Sequence, residues 1–555
     1  DTTRLIHYEG NNEYGDVSST MYADLGRIER IGRERMNRTN PKPHIQCENT
    51  HSMGNSMGNQ REYYRLYEKY PALAGEFVWD FKDQGLTTTY GSDGTEYWAY
   101  GGDFGDRPND NNFCCNGLVL PDLTFTAKSM NTKKIYQPLD FVENPDVPGK
   151  YVIKSKLNFA SSNHLKINYR VHCDGETLYG GDITTTIAAG DSAEVEIPMP
   201  QYEVPGEYFL DFSVTNAEST PWAQAGYEVA SEQFVLNAVT NRVITDNNDS
   251  QPSVTDNGNL VTVSGDDFNV VFSKEDGTLL SYTVGGKKVI DCGIKLNLMR
   301  LPTDNDGSKT QMWDNMGINK LSVSQGSVTY KHGNKKRSVI IDTKAVYNTP
   351  DTVAAQVDMR YTIYADGIVA VTSTILPSKE GVIIPRMGYR LEMPQGMEQM
   401  TWLGRGPWDS YVDRKESAFV DVYTSTVSKQ DTPFVKPQEC GNKEDVRWIA
   451  ITANDGVGAM FISPRHMAAS AHHWRVEDNY SNRRNRRAHP HQVVKCDETI
   501  VTLDAAMRGL GNNSCGPDVL DRYELRTKST EFNFIIKPLR ATMTQQEMAK
   551  SAHKW

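Results

Sequence analysis

The alternation of apolar and polar positions divides the chain into two textures. Over residues 1–138, strand-like and helix-like runs take turns. "RLIHYEG" (4–10), "VSSTMYA" (17–23), "HIQCEN" (44–49) and "GEFVWDF" (75–81) read as short strands. Between them, "LGRIERIGRERM" (25–36) sets Leu25, Ile28 and Ile31 on one helical face, and "QREYYRLYEKYP" (60–71) reads as a second helix. Strand and helix in strict succession imply a parallel sheet. Four such strands fit half of a (β/α)8 TIM barrel, whose chemistry sits where the strands end. Tyr22, Glu48 and Asp80 all fall at such ends.

From residue 139 the helical period disappears. "KYVIKSKLNFAS", "HLKINYRVHCDG", "SAEVEIPMP" and "GEYFLDFSVTN" alternate between turn residues, which predicts an immunoglobulin-like β-sandwich over 139–238. Residues 239–259 are polar and turn-rich and read as a linker. Strands dominate again over 260–541, as in "DTVAAQVDMRYTIYADGIVAVTSTIL" and "TEFNFIIKPL", and predict a large β-sandwich domain. The polar tail, 542–555, is expected to be disordered. The fold class is therefore multidomain, α/β plus all-β.

Composition narrows the function. The chain has 555 residues, 38% hydrophobic and 23% charged, enough for several cores. No apolar run is long enough to span a membrane as a helix. A net charge of −12 argues against a nucleic-acid partner, and "RRNRRAHPH" (483–491) reads as a solvated loop. None of the eight cysteines forms a CxxC pair, which argues against a zinc site. The N-terminus lacks the basic start and apolar run of a signal peptide, and it lacks Met. It reads as the middle of a longer soluble protein, cytoplasmic or periplasmic.

A glutamate at a strand end means little alone. Glu48 gains weight from His51, from Trp79 in "FVWDF", and from "YGGDFGDRPNDNNFCCNGLV" (100–119). Carboxylate, imidazole and indole in one bowl suit a sugar. The carboxylate meets the anomeric carbon, polar groups read hydroxyls, and the indole stacks on an apolar ring face.

At these residues the chain resembles the large lac-type β-galactosidases of glycoside hydrolase family 2. Around the nucleophile the family runs Cys-Glu-Tyr-X-His-X-Met-Gly-Asn-Ser. Cys47, Glu48, His51, Met53, Gly54, Asn55 and Ser56 match, and Asn49 replaces the Tyr. The resemblance returns in "PWAQAGYEVASEQF", "PTDNDG", "WLGRGPWDSYVDRKESA" and "GLGNNSCGP". It implies a retaining enzyme that removes terminal β-galactose through an ester on Glu48. Tyr22 would assist breakdown of that ester. His51 would contact sugar hydroxyls, and Trp79 would floor the galactose ring. The Phe113 carbonyl and Asn116 would hold a sodium ion near the sugar, and Asn109 matches a position tied to a second magnesium ion. A homo-oligomer is expected for the full-length protein.

The family's second carboxylate, the acid/base glutamate, sits at the end of the fourth barrel strand. This chain begins at what should be the fifth, so it reads as a C-terminal fragment that is inactive alone. Glu9, on the fifth strand, is a poor substitute. Cys515 stands where better-known members carry a Trp platform for the leaving sugar. A β-glucuronidase or β-mannosidase of the same family, and a non-catalytic carbohydrate-binding fragment, remain as alternatives.

Overall fold

The computed structural model describes residues 3–90, 94–239, 250–333, 337–480 and 488–554. Most of the basic cluster at 483–491 and half of the 239–259 segment lie outside these residues. Strands predominate.

The N-terminal part holds three parallel strands in the order β1 (Ser18–Met21), β2 (His44–Asn49), β3 (Leu73–Val78). Helix α1 (Leu25–Met36) follows β1 and α2 (Gln60–Lys69) follows β2. Asp24 caps α1 by accepting from the Arg27 amide at 2.9 Å. Ile28 of α1 packs with Tyr63 of α2 and Leu73 of β3 in one small core. A third helix, α3 (Ala127–Ile135), closes this part.

"RLIHYEG" does not form the expected strand. Only His7 makes a bridge, to Val17, and Leu5, Ile6 and Tyr8 stay exposed at 72%, 58% and 62%. Among the described residues it has no second neighbour to pair with, so the apolar pattern finds no core.

The middle part packs two antiparallel sheets face to face. One contains Leu139–Glu143, Lys150–Ser155 and Ser192–Glu196; the other contains Leu165–Cys173, Glu176–Ile183, Gly206–Asn216 and Glu228–Val239. Phe141, Tyr151, Ile153, Val171, Leu210 and Phe212 meet between them.

The C-terminal part joins a five-stranded sheet to a long antiparallel one through a single core that includes Phe272, Trp313, Tyr361, Tyr389 and Trp402. Ser253–Asp256, read as linker, is the edge strand of the five-stranded sheet, paired with Leu260–Ser264. The tail also departs from expectation. Thr544 caps a helix, Gln545–Ala552, which buries Met548, Ala549 and Ala552 against Phe209, Leu403 and Trp448. A short apolar stripe was hidden in a polar composition.

Behind the sheets, Arg386 lies between Glu439 at 3.3 Å and Asp504 at 3.2 Å, and all three are buried. Burial outweighs the arginine and pushes the Asp504 carboxyl up from 3.8 to about 7. A carboxyl raised on folding favours the folded state most below its unfolded value, so this contribution is full below pH 3.8 and is lost as pH rises to about 7. Asp504→Asn is expected to flatten this decline. The check is the thermal midpoint of both proteins across that pH range; parallel curves would show that Asp504 does not titrate there.

Candidate active site

The parallel register brings three chain ends together. Met21 is opposite Glu48, and Asn49 is opposite Val78. The Tyr22 amide donates to the Glu48 carbonyl at 2.9 Å, the Trp79 amide to the Asn49 carbonyl at 3.2 Å, and the Ser52 amide to the Trp79 carbonyl at 2.8 Å. These bonds fix Tyr22, Glu48 and Trp79 as neighbours at the C-terminal ends of β1, β2 and β3. Tyr22 and Thr50 take left-handed backbone (φ +46° and +42°), which turns the chain sharply past each strand.

Burial pushes the Tyr22 phenol well above its ordinary range, and the neighbouring Glu48 carboxylate adds to the shift by hydrogen bonding and charge. Its oxygen has no hydrogen-bond partner of ordinary geometry, so the contact with Glu48 is a close approach of a neutral phenol. His51 is buried, and that burial lowers its imidazole to about 4. It is therefore neutral near pH 7. Its Nδ1 lies 2.7 Å from Ser514 Oγ and its Nε2 3.4 Å from Asn116 Nδ2. Its ring stacks on Phe113 at 5.3 Å and meets Tyr22 edge-on at 5.8 Å. Trp79 is 41% exposed, leaving indole surface open. Asp80 is raised by burial, and its Oδ2 accepts from Gln84 Nε2 at 2.6 Å.

Asn116 Nδ2 donates to the Phe113 carbonyl at 2.9 Å, while Asn116 Oδ1 is buried without a partner. Asn109 is differently placed. Its Nδ2 donates to the Asp106 carbonyl at 2.8 Å and its Oδ1 accepts from the Asn111 amide at 3.1 Å, so its side chain is engaged within its own loop.

The second half of the "HSMGNS" run does structural work. Asn55 donates through Nδ2 to Tyr411 Oη and the Glu439 carbonyl, and accepts from Arg414 at Oδ1. Its amide donates to Gln438 Oε1 at 3.0 Å. At Gly58 a Cβ would lie 2.0 Å from an Asp413 carboxylate oxygen, so only glycine permits the contact. The loop after β2 is thus clamped by the C-terminal domain. From the same domain, 512–517 reaches over the site. Ser514 bonds His51, and exposed Cys515 lies near enough for the Glu48 charge to raise its thiol, although burial contributes more.

Sequence reasoning missed Ser514 and Lys128. Lys128 sits in the first turn of α3 and looks like a surface lysine, yet it is fully buried beneath the loop. Its Nζ donates to the Ser52 and Gly54 carbonyls, and burial lowers it to about 8. No local pattern marks such a residue. A cavity of about 750 Å3 opens beside Phe113 and Ser514, walled further by Asp304, Lys436 and Tyr480; Glu48 and Trp79 are not in its wall.

Comparison with known proteins bears on this geometry. Family models match for "Glycosyl hydrolases family 2, TIM barrel domain" over 1–141, "Beta-galactosidase, domain 4" over 151–237 and "Beta galactosidase small chain" over 264–536. A β-galactosidase of Priestia megaterium is 37% identical over 476 residues, covering 82% of this chain and 44% of that protein. A β-galactosidase of Halalkalibacterium halodurans is 30% identical over 554 residues, covering 97% of this chain and 53% of that protein. The chain thus spans about half the length of these curated relatives. Among solved structures, a putative aldose 1-epimerase of Escherichia coli K12 matches at a TM-score of 0.27 and 10% identity, covering 52% of this chain and all of that one, too slight a likeness to bear on function. With three family models following one another along its sequence, and the strand-end glutamate in its motif, the chain belongs to glycoside hydrolase family 2.

Proposed function

We propose that the chain carries the nucleophile-bearing part of a retaining exo-β-galactosidase. The observation that carries this reading is Glu48 at a strand end beside the neutral phenol of Tyr22, whose ring in turn meets the neutral imidazole of His51 edge-on, with the open Trp79 face at the next strand end. On this reading β1, β2 and β3 are a sector of a (β/α)8 barrel, followed by an immunoglobulin-like sandwich and a large β-sandwich domain.

Glu48 attacks the anomeric carbon as the bond to the leaving oxygen breaks, and an acid protonates that oxygen. Water then attacks the anomeric carbon of the galactosyl ester, giving its proton to the conjugate base of that acid, and Glu48 leaves as the carboxylate. Tyr22 donates a hydrogen bond to the carboxylate as it departs. His51 presents a neutral nitrogen to sugar hydroxyls, and Trp79 stacks beneath the ring. We assign the acid to the upstream half. Asp80, tied to Gln84 and through its amide to the Asn116 carbonyl, braces the loop.

A sodium ion fits beside Phe113 and Asn116, because Asn116 Oδ1 is a buried acceptor that lacks a donor. An amide flip would set that oxygen beside the Phe113 carbonyl, the hard-oxygen set such an ion takes. Bound there, the ion would supply positive charge for a sugar hydroxyl. Asn109 does not fit a magnesium role as placed, since both ends of its amide are engaged. In the full-length protein, replacing sodium by a large organic cation should raise KM several-fold with little change in kcat, and Asn116→Ala should abolish the difference. An unchanged KM would remove the ion from this reading.

The function itself is tested with nitrophenyl β-galactoside, β-glucuronide and β-mannoside on the full-length protein. Galactoside should be preferred by at least about 10²-fold in kcat/KM, because buried polar groups reject a sugar that leaves them unpaired. Preference for either other sugar would assign the sister activity. Galactose binding without turnover would assign a binding module.

A further inference from the structure

A second cluster of chemistry-bearing side chains lies in the C-terminal domain, within the segment that supports the loop after β2. Asp431, Cys440 and His472 each bring one donor atom within 4.8 Å of the others. His472 stands on the long strand Val457–Trp474, while Asp431 and Cys440 flank the segment that returns toward the barrel. Cys440 and His472 are buried, at 3% and 5% exposure. His472 Nδ1 lies 2.9 Å from Asp431 Oδ1, and its Nε2 is buried without any hydrogen-bond partner.

We propose that Asp431, Cys440 and His472 supply three ligands of a zinc site whose fourth position is taken by water. Thiolate, imidazole and carboxylate together are a zinc donor set, softer than the all-oxygen sites that calcium and magnesium take. Bonds of about 2.0–2.3 Å would set the donors about 3–4 Å apart, a small adjustment of atoms that now lie within 4.8 Å of one another. The surroundings favour a cation. Burial keeps the Cys440 thiol protonated, and the nearby charges of Asp431, Asp409 and Glu439 reinforce this. A divalent ion reverses that balance by displacing the thiol proton to solvent. Asp431 Oδ1 now meets His472 Nδ1 and Trp474 Nε1, both at 2.9 Å, so an ion would take the place of these contacts. Lys495 lies 3.1 Å from Asp431 Oδ2, but its side chain is 57% exposed and free to swing outward.

The other mixed cluster of this kind among the described residues, His172 with Asp211 and Asp421, is already filled by a cation. Arg170 lies 3.0 Å from Asp211 and also pairs with Asp421. At the Asp431 cluster the paired cation among the described residues is Lys495, which bonds Asp431 but neither Cys440 nor His472.

The place of the site gives it consequence. Between Asp431 and Cys440 run Phe434, which packs with Leu120, and Val435, which packs with Tyr100 and Cys115. Gln438 and Glu439 then hold Asn55. A metal at the base of this segment would staple the wall behind His51. The sequence argument against zinc rested on the missing CxxC pair. Donors at 431, 440 and 472 carry no such signature.

The test uses the whole chain under reducing conditions, stripped with a chelator and titrated with cobalt(II). One equivalent should bind, with thiolate-to-cobalt charge transfer in the near ultraviolet, and zinc should displace it. Cys440→Ser should abolish the charge-transfer band and weaken binding by at least about tenfold, since loss of even an outer partner costs about 10–100-fold. Cys292→Ser should leave the band intact. Absence of stoichiometric binding, or a band that survives Cys440→Ser, would overturn the proposal. If Cys440→Ser fails to fold, His472→Gln must show the same weakening, and wild-type affinity in that variant would overturn it equally.

Discussion

Glu48→Gln in the full-length protein is expected to lower galactoside hydrolysis by roughly 10⁴–10⁶-fold, the scale seen when a covalent nucleophile is removed. The substitution keeps the shape of the side chain, and the backbone bonds that Tyr22 and Trp79 make to β2 remain. Thermal stability and galactose binding should therefore change little, which separates loss of chemistry from loss of structure. A 2-deoxy-2-fluoro galactoside should leave an ester on the wild-type peptide that contains Glu48. An ester on any other carboxylate, or hydrolysis by Glu48→Gln within tenfold of wild type, would remove Glu48 from the mechanism.

The second large effect concerns the chain by itself. Residues 1–555 alone should hydrolyse nitrophenyl galactoside at least about 10²–10⁴-fold more slowly than the same chain supplied with the upstream half in trans, the range that acid–base help typically contributes. A retaining site needs two carboxyl groups about 5–5.5 Å apart. Here Glu48 stands beside the Tyr22 phenol, while Asp80 is held by Gln84. The three parallel strands also form an open sheet, whereas parallel sheets are normally covered on both faces. Leu5, Ile6, Phe77 and Phe81 are 58–72% exposed, apolar surface that the proposed reading leaves for further barrel strands to cover. Addition of the upstream half should slow hydrogen exchange in β1 to β3 as activity appears. Strong activity from the chain alone would sink this account and make Asp80 the first acid to test.

Much of the N-terminal part is legible in the sequence because its local and tertiary preferences agree. Helix α1 spans the run with the 3.6-residue period, and β2 spans "HIQCEN". "RLIHYEG" has an equally good strand pattern but no neighbour, and pairing decides a strand where pattern alone cannot. The tail fails for the opposite reason: Met548, Ala549 and Ala552 are too few to register in composition but sufficient to dock a helix. Within the site, the residues of "CENTHSMGNS" were readable from the motif. Their division of labour was not. Glu48 stands beside Tyr22 and His51 bonds Ser514, whereas Asn55 holds the distant domain. Lys128 and Ser514 were invisible because each acts through a fold-dependent contact with atoms far away in sequence.

The His51–Ser514 bond links positions 463 residues apart. A ribosome adding about 5–20 residues per second needs roughly 20–90 s to make that stretch. During this interval the barrel segment with its glutamate is already outside the ribosome, but the partner that orients the imidazole does not yet exist. The nascent chain therefore carries Glu48 in an unfinished setting while those 463 residues are made. The imidazole gains its partner late, when the segment that holds Asn512 and Ser514 closes over the loop after β2.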